Sequence, residues 1–455
     1  MKGSQRGISG GPCPNKEWSI GSLDVRTAFL YAELDDEEDG IFLVQPPAIL
    51  VRMNLVKPGV LWKLKKALYG LRCAPKKWGQ TRYVTLQHSE CVADNMKGTV
   101  KQCARSRGVW TVIFEGRVVA YFIVYVDDVL VRASTKWLLG VMNVFKQNWE
   151  CKVVGIIVKD SVETEYAVPS LVFLSITIEP IETGWYLHQH EYLEGKLRQR
   201  GVTTGRPGLP EVIEGKTPVV TPEYKLTEEY KCKLNLVQKE VGALQWLALK
   251  TRPDIAAITA ICSSMQTRDP ERAYKITQEI WKYLWTTKNL VMKLVTVKTG
   301  PDVVTISADA SFAPGGDRSR TGVAILVNGV IVHWCSTRQS LASTSAHEAE
   351  LNATTTGLKL GISLRDLLLD MMRSDVKLEL DQDNLATIRS ITYEVTSWRT
   401  RHYALRAAWV RDMVQQEKVD VKHVKGVDIT ADPLTKVLER IKLGEAREKL
   451  QLYPR

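Results

Sequence analysis

The run VVAYFIVYV at residues 118–126 constrains the fold more than any other feature of the sequence, because nine apolar residues end abruptly in Asp127 and Asp128. A membrane-spanning helix needs about 20 apolar residues, so this run predicts a buried β-strand. Val129 to Val131 resume the apolar pattern after the two acids, which predicts a tight hairpin with Asp127 and Asp128 at its turn. Adjacent carboxylates repel each other, and a divalent cation such as Mg²⁺ would relieve that cost. An ordinary exposed Asp-Asp turn is the alternative interpretation.

A second set of acids lies in the last third of the chain, where the pattern predicts the order βββαβαβα from residue 301. Asp309 ends the first strand of this segment, Glu350 lies on a long helix (about 343–369), Asp383 follows a strand and Asp432 opens a final helix that begins near Thr430. Four such acids at one sheet edge would suit two metal ions that clamp a phosphodiester. Helix capping is the alternative for Asp383 or Asp432.

Charge is distributed unevenly along the chain, whose formal net charge is +11. Residues 51–82 contain nine Lys or Arg and no acid, with Trp and Tyr between them, whereas residues 33–39 carry six acids. A basic stretch interleaved with aromatics favours a polyanionic partner such as nucleic acid; a solvated lysine-rich face is the alternative. The sequence contains no membrane-spanning pattern, no signal peptide and no C-x-x-C pair among its eight cysteines, which predicts reduced thiols and no structural zinc.

The chain is expected to have four parts. These are a flexible leader (1–21), an α/β segment (22–200), a Gly/Pro/Thr-rich linker followed by helices (201–300, with a break at Thr251-Arg252-Pro253) and a mixed α/β segment (301–455).

Ten motifs in order resemble the reverse transcriptase–ribonuclease H part of copia-type (Ty1/copia) LTR retrotransposon polyproteins. They are SLDVRTAFLYAELDDE (22–37), LWKLKKALYGLRCAPKKW (61–78), YVDDVLV (125–131), VFLSITIE (172–179), VGALQWLALKTRPDI (241–255), ISADASFAP (306–314), RTGVAILV (320–327), STSAHEAELNA (343–353), DNLATI (383–388) and HVKGVDITADPLTK (423–436). The resemblance implies a reverse transcriptase palm at 22–200, a helical thumb or connection, and a ribonuclease H-like α/β domain at 301–455.

For the first site, the resemblance implies that Asp24, Asp127 and Asp128 are the catalytic, metal-binding acids of the polymerase. Phe29 falls where the family keeps an aromatic that excludes ribonucleotides, although a core phenylalanine is an equal alternative. The expected nucleotide-binding positions also include Gly70, Cys73 and Pro75, and the expected nucleic-acid-binding positions are Lys63, Lys65, Lys66 and Arg72.

For the second site, the resemblance implies that Asp309, Glu350, Asp383 and Asp432 bind two metals and cleave the RNA strand of a hybrid. The motifs favour Glu350 over Glu348 and Asp383 over Asp381. His423 resembles a histidine that aids product release in some relatives; a strand-end histidine without a function is the alternative.

The implied activity is RNA-directed DNA polymerase with ribonuclease H, with Mg²⁺ as cofactor and Mn²⁺ as a substitute. The implied partners are an RNA template, a DNA primer, RNA/DNA hybrid and dNTPs, and no membrane is expected as a partner. The expected location is the cytoplasm, where virus-like particles are one alternative, and the nucleus. Oligomeric state is left open.

Three departures from the family keep other functions open. Cys73 stands where the family has glutamine, and Ser175 where it has glycine. The family's long fingers segment precedes the first aspartate, but only about 20 residues do so here, so an N-terminally truncated polymerase is expected. A ribonuclease H hydrolase without polymerase activity and a catalytically silent nucleic-acid-binding remnant are therefore the alternatives.

Overall fold

The computed structural model describes residues 18–212, 221–295, 301–372, 375–393 and 401–455. Most of the expected leader and part of the expected linker lie outside them. The chain divides into two compact units: an N-terminal unit (residues 1–174 with 370–373) and a C-terminal unit (175–369 with 374–455).

The N-terminal unit is built on a seven-stranded antiparallel sheet with the order β4-β5-β6-β7-β8-β1-β9. Its strands are β1 (Ser19–Val25), β2 (Leu43–Val44), β3 (Trp62–Lys63), β4 (Glu90–Ala93), β5 (Met96–Gln102), β6 (Val109–Phe114), β7 (Arg117–Tyr125), β8 (Asp128–Ala133), β9 (Cys151–Ile157) and β10 (Leu171–Phe173). Its helices are α1 (Asp36–Asp39), α2 (Ala48–Arg52), α3 (Ala74–Gln87) and α4 (Thr135–Asn148).

The apolar run forms β7 as predicted, but β7 is buried on one face only. Phe122 and Val124 lie in the core, whereas Ile123 and Tyr125 are exposed. Successive side chains of a strand point to opposite faces, so nine apolar residues do not require burial on both. Helix α4 covers the core face, where Leu138, Met142 and Phe145 are buried.

The C-terminal unit contains two sheets. One joins β11 (Ile176–Ile181), β12 (Gly184–His188), β13 (Leu290–Val295) and β19 (Leu452–Pro454) in antiparallel pairs. The other has the order β16-β15-β14-β17-β18, in which β14 (Asp302–Ser311), β15 (Arg320–Val327) and β16 (Val330–Arg338) are antiparallel, and β17 (Val376–Gln382) and β18 (Asp420–His423) run parallel to β14. This mixed α/β architecture confirms the predicted fold class.

The helices of this unit are α5 (His190–Gln199), α6 (Pro222–Leu226), α7 (Glu228–Ala248), α8 (Ala256–Met265), α9 (Pro270–Thr286), α10 (Ala346–Met372), α11 (Leu385–Thr392), α12 (Arg401–Gln416) and α13 (Arg440–Lys449). The predicted break at Thr251-Arg252-Pro253 separates α7 from α8. The prediction of a helix from Thr430 is wrong: Asp432 opens a single 3-10 turn (Asp432–Leu434), and the last α-helix begins at Arg440.

Helices α7 to α9 share one hydrophobic core with the second sheet. Leu244, Ile258 and Ile280 pack in the same cluster as Ile331 and Trp334 of β16, and the indole of Trp334 donates a hydrogen bond to the carbonyl oxygen of Ala248 at 2.7 Å. Among the described residues, no helix is long and apolar enough to cross a membrane, and the seven described cysteines are all free thiols.

Candidate active sites

The turn between β7 and β8 presents the first pair of acids. Tyr125 pairs with Asp128 across the hairpin, so Val126 and Asp127 form the turn. Val126 has a positive φ of 57°, a conformation that is strained for a β-branched residue. The indole Nε1 of Trp78 in α3 donates a hydrogen bond to the carbonyl oxygen of Val126 at 2.6 Å. This contact holds the strained turn, and the motif pattern did not reveal it.

Strand β1 brings the third acid to this turn. Asp24 lies opposite Asp128 in the antiparallel register, and the amide of Val25 donates to the carbonyl oxygen of Asp127 at 2.9 Å. Partial burial, and then the charge of Asp127, raise the pKa of both Asp24 and Asp128. The structure therefore brings together three acids that are more than 100 residues apart at the extremes, and their mutual repulsion suits a cation.

The loop before α3 lies beside these acids. The ring of Tyr69 is 4.6 Å from that of Phe29. Burial is the main cause that raises the pKa of Tyr69, and the negative charges of Asp127 and Asp24 raise it further. Phe29 is itself buried in a 3-10 turn (Ala28–Tyr31), so its two interpretations both stand. Gly70 has a φ of 98° that L-residues with side chains rarely adopt.

The end of the same loop begins α3. Cys73 is the N-cap residue without a side-chain capping bond, and Pro75 lies in the first turn, where a missing N–H costs nothing. Gly70 and Pro75 are exposed, and Cys73 is half-buried.

The acidic run at 33–39 neutralises part of the basic stretch. Lys63 contacts Asp36, and the buried Lys77 pairs with Glu38 at 3.0 Å and Asp39 at 2.8 Å. Lys65, Lys66 and Arg72 are exposed. The surface charge available to a polyanion is therefore smaller than the sequence count of nine.

The second site is a compact carboxylate cluster. One carboxylate oxygen from each of Asp309, Glu350 and Asp383 lies within 4.8 Å of the other two. Asp309 comes from β14 and Glu350 from α10, and both are only 7% exposed, while Asp383 follows β17. Carboxylate oxygens at this spacing are a donor set that suits a hard divalent cation.

Burial dominates the electrostatics of this cluster. It raises the pKa of Glu350 to about 9, with further contributions from the charges of Asp309 and Asp383. Burial also raises the pKa of Asp309, against a lowering hydrogen bond from Thr435. The Oε2 atom of Glu350 has no hydrogen-bond partner among the described residues. A buried, unpartnered carboxylate oxygen that faces two other acids fits a cation ligand.

Local hydrogen bonds explain why these particular acids form the cluster. Glu348, the rejected neighbour of Glu350, accepts from the amide of Thr344 at 2.7 Å and so caps the start of α10. Asn384 rather than Asp383 caps α11, through Thr387. The buried side chain of Gln382 accepts from the amide of Asp383 at 2.9 Å, which orients that residue.

Asp432 lies beside this group of three rather than within it. It is close enough for its charge to raise the pKa of Asp309, but its Oδ1 pairs with Lys436 at 2.5 Å. The hydroxyl of Thr435 donates to Asp309 Oδ2 at 2.8 Å and lies 2.8 Å from the carbonyl oxygen of Asp432. Thr435 and Lys436 thus contact two predicted site residues, and sequence reasoning assigned them no role.

Gly322 makes this arrangement possible. It lies opposite Asp309 in the β14–β15 register, and a Cβ there would come within 2.8 Å of the carbonyl oxygen of Ala431 and 2.7 Å of Thr435 Cγ2. Only glycine lets the 431–435 segment cross the strand this closely. The exposed His423 ends β18, where its Nε2 lies 3.2 Å from the carbonyl oxygen of Asp383.

Known proteins are similar to this chain in sequence. Residues 13–210 match the family Reverse transcriptase (RNA-dependent DNA polymerase). The Pol polyprotein from transposon RE1 of Arabidopsis thaliana is 28% identical over 94% of this chain and 27% of its own length. The Pol polyprotein from transposon TNT 1-94 of Nicotiana tabacum is 24% identical over 95% of this chain and 31% of its own length. The Ty1-MR1 Gag-Pol polyprotein of Saccharomyces cerevisiae is 24% identical over 93% of this chain and 23% of its own length.

The chain therefore spans about a quarter to a third of the length of these curated relatives. Among solved structures, the foamy viral protease-reverse transcriptase in complex with RNA/DNA hybrid aligns with 90% of this chain and 44% of its own, at 12% identity and a TM-score of 0.43.

Proposed function

We propose that this chain, which is homologous to the Pol polyproteins of Ty1/copia-type transposons and carries their reverse transcriptase domain, is an RNA-directed DNA polymerase that also degrades the RNA strand of RNA/DNA hybrids. The observation that carries the proposal is the convergence of two separate sets of acids. Asp24 lies in register with Asp128 in the N-terminal unit, and Asp309, Glu350 and Asp383 cluster within 4.8 Å in the C-terminal unit.

Both sites are proposed to use Mg²⁺, with Mn²⁺ as a substitute. Bound divalent cations would supply Lewis-acid activation of the attacking oxygen and neutralise charge on the reacting phosphate. In the first site, Asp24, Asp127 and Asp128 would hold the cations. In the second, Asp309, Glu350 and Asp383 would do so, and Asp432 would join them on leaving Lys436.

Other residues of the polymerase site would position the substrates. Phe29 and Tyr69, which contact each other beside the acids, would face the sugar of the incoming nucleotide, and the backbone at Gly70 would let it approach closely. The template would follow the exposed Lys65, Lys66 and Arg72. Reversal of Lys65 and Lys66 to Glu should therefore weaken hybrid binding and reduce its salt dependence.

The decisive experiment measures two activities of the purified chain: extension of a DNA primer on an RNA template, and cleavage of an RNA/DNA hybrid. Asp128→Asn should abolish primer extension and spare hybrid cleavage, whereas Asp309→Asn should abolish cleavage and spare extension. Each lost activity should fall by at least about 100-fold, because stabilisation by cations of the negative charge on the reacting phosphate is worth several kcal/mol. Loss of cleavage in Asp432→Asn would place that residue in the second site.

The same experiment tests the alternative of a hydrolase without polymerase activity, which Cys73 at the family's glutamine position favours. Cleavage without extension by a folded wild-type chain would establish that alternative. A folded chain with neither activity would contradict both.

A further inference from the structure

A basic groove of about 620 Å³ lies beside α3 in the N-terminal unit. Pro75, at the end of the loop before α3, is one of its lining residues, and its described lining includes none of Asp24, Asp127 and Asp128. None of the described residues that line it is acidic. Those with polar side chains are Lys76, Gln80, Arg82, Tyr83, Gln102 and Arg107. A concave surface with three cationic side chains and two amides offers many hydrogen-bond donors and no carboxylate, which suits an anion.

Arg82 is the unusual residue of this groove. Its side chain is buried, with only 8% of the residue exposed, and its Nε has no hydrogen-bond partner among the described residues. Burial is the cause that lowers its pKa. A largely buried guanidinium whose Nε has no hydrogen-bond partner is costly to the folded chain, so an anion that enters the groove would offset part of that cost.

The groove adjoins the acidic hairpin. Trp78, one helical turn before Arg82 on α3, donates to the carbonyl oxygen of Val126 in the hairpin turn. On the other wall, Arg107 precedes Gly108, whose carbonyl oxygen accepts from the amide of Val124 at 2.8 Å. Gln102 Nε2 donates to the carbonyl oxygen of Arg107 at 2.8 Å and holds this wall against β5.

We propose that this groove binds backbone phosphates of the nucleic-acid substrate, with Arg82 as a buried anchor and Lys76 and Arg107 as its two exposed walls. This assignment rests on the proposed function for the identity of the polyanion. The half-exposed ring of Tyr83 borders the groove and offers a flat surface for a sugar or base. The groove thus extends the substrate surface beyond the loop at residues 69–75.

The test compares binding and stability in the full chain, with EDTA present so that neither activity contributes. Fluorescence anisotropy with a labelled DNA primer on an RNA template gives affinity as a function of KCl concentration. Arg82→Met, which keeps much of the side-chain volume without the charge, should weaken binding about 5- to 10-fold and reduce the slope of log K against log salt by about 1. Without nucleic acid, the same variant should melt at or above the wild-type temperature, because it removes a largely buried cationic group whose Nε has no hydrogen-bond partner among the described residues.

Arg117→Gln is the matched control, because Arg117 is exposed at the opposite end of β7 from the hairpin and should leave the slope unchanged. Arg107→Gln, at an exposed position, is a second groove variant in case Arg82→Met fails to fold. It should weaken nucleic-acid binding to the same extent. An unchanged slope in both groove variants would overturn the proposal. A lower melting temperature with unchanged binding would make Arg82 a structural residue.

Inorganic tripolyphosphate separates backbone phosphates from the triphosphate of a free nucleotide. If tripolyphosphate raises the melting temperature of wild type but not of Arg82→Met, while primer–template binding is equal in the two, the groove is a nucleotide site and the backbone assignment is wrong. Failure of the proposed polymerase function is seen separately, as absence of extension by a chain that still binds primer–template.

Discussion

The two candidate sites are both built from carboxylates but differ in burial. Asp24, Asp127 and Asp128 are half-exposed at the end of a hairpin, whereas Asp309 and Glu350 are almost fully buried between β14 and α10. Because desolvation penalises the charged form of a carboxyl group, the pKa of Glu350 rises to about 9. Holding carboxylates close together therefore costs more folding free energy in the C-terminal site. In the hairpin site the unfavourable feature is the strained backbone of Val126.

Gly322→Val tests whether the C-terminal site depends on close backbone packing. The added side chain would collide with the carbonyl oxygen of Ala431 and with Leu434 Cβ, 3.0 Å from a Cβ at that position. Displacement of the 431–435 segment removes the Thr435 hydrogen bond to Asp309, so hybrid cleavage should fall by at least about 100-fold, while primer extension should be unaffected.

Gly444→Ala is the control for this variant, because a Cβ at Gly444 of α13 meets no atom within 4 Å. It should leave cleavage unchanged and stabilise the helix by up to about 1 kcal/mol. Equal cleavage by Gly322→Val and wild type would show that the 431–435 segment contributes nothing to the site.

Glu350→Gln should abolish cleavage yet raise the melting temperature in EDTA. The pKa of Glu350 in the folded state is raised above its usual value of 4.5, so the wild type loses stability as pH rises from about 4.5 towards 9. Gln is neutral at every pH and so avoids this loss of stability. The increase in stability of the variant over the wild type should therefore be largest near pH 8 to 9. A shift of about 2–4 °C accompanies each kcal/mol in a domain of this size.

Asp128→Asn should also raise the melting temperature in EDTA, but by less than Glu350→Gln does, because Asp128 is less buried. Melting curves of both variants at pH 5 and pH 8.5 check the comparison. A larger shift in melting temperature for Asp128→Asn would show that Asp128 is desolvated more strongly than Glu350.

The smallest effect concerns the anchor of the hairpin turn. Trp78→Phe removes the indole donor to Val126 and should reduce primer extension about 5-fold, in keeping with the loss of one hydrogen bond of about 1 kcal/mol. Trp110→Phe is the matched control, since Trp110 is equally buried in this unit and its Nε1 has no partner among the described residues. Equal extension by the two variants would show that the hydrogen bond does not hold the turn.

Much of this architecture was readable from the sequence. Apolar runs predicted β7 and β14, and Thr251-Arg252-Pro253 predicted the break between α7 and α8. The start of the last helix was misplaced, because Pro433 and the Asp432 side chain resemble a helix N-terminus, whereas the segment is held in one 3-10 turn by packing on Gly322.

The candidate site residues were chosen by residue type and motif order, and the structure shows which of them meet. Local spacing could not separate Glu350 from Glu348, since both lie on one helix; the capping bond of Glu348 to Thr344 does so. Nor could spacing show that Lys63 and Lys77 face acids rather than solvent.

The sequence by itself determined which side chains are chemically able to hold cations and polyanions, and which segments form strands and helices, because residue type and periodicity are local properties. The tertiary structure alone decided proximity and burial. Strand register joins Asp24 to Asp128, close packing at Gly322 brings Thr435 to Asp309, and the surroundings of Arg82 and Glu350 set the cost of their charges. These depend on contacts between residues far apart in the chain, which no local pattern encodes.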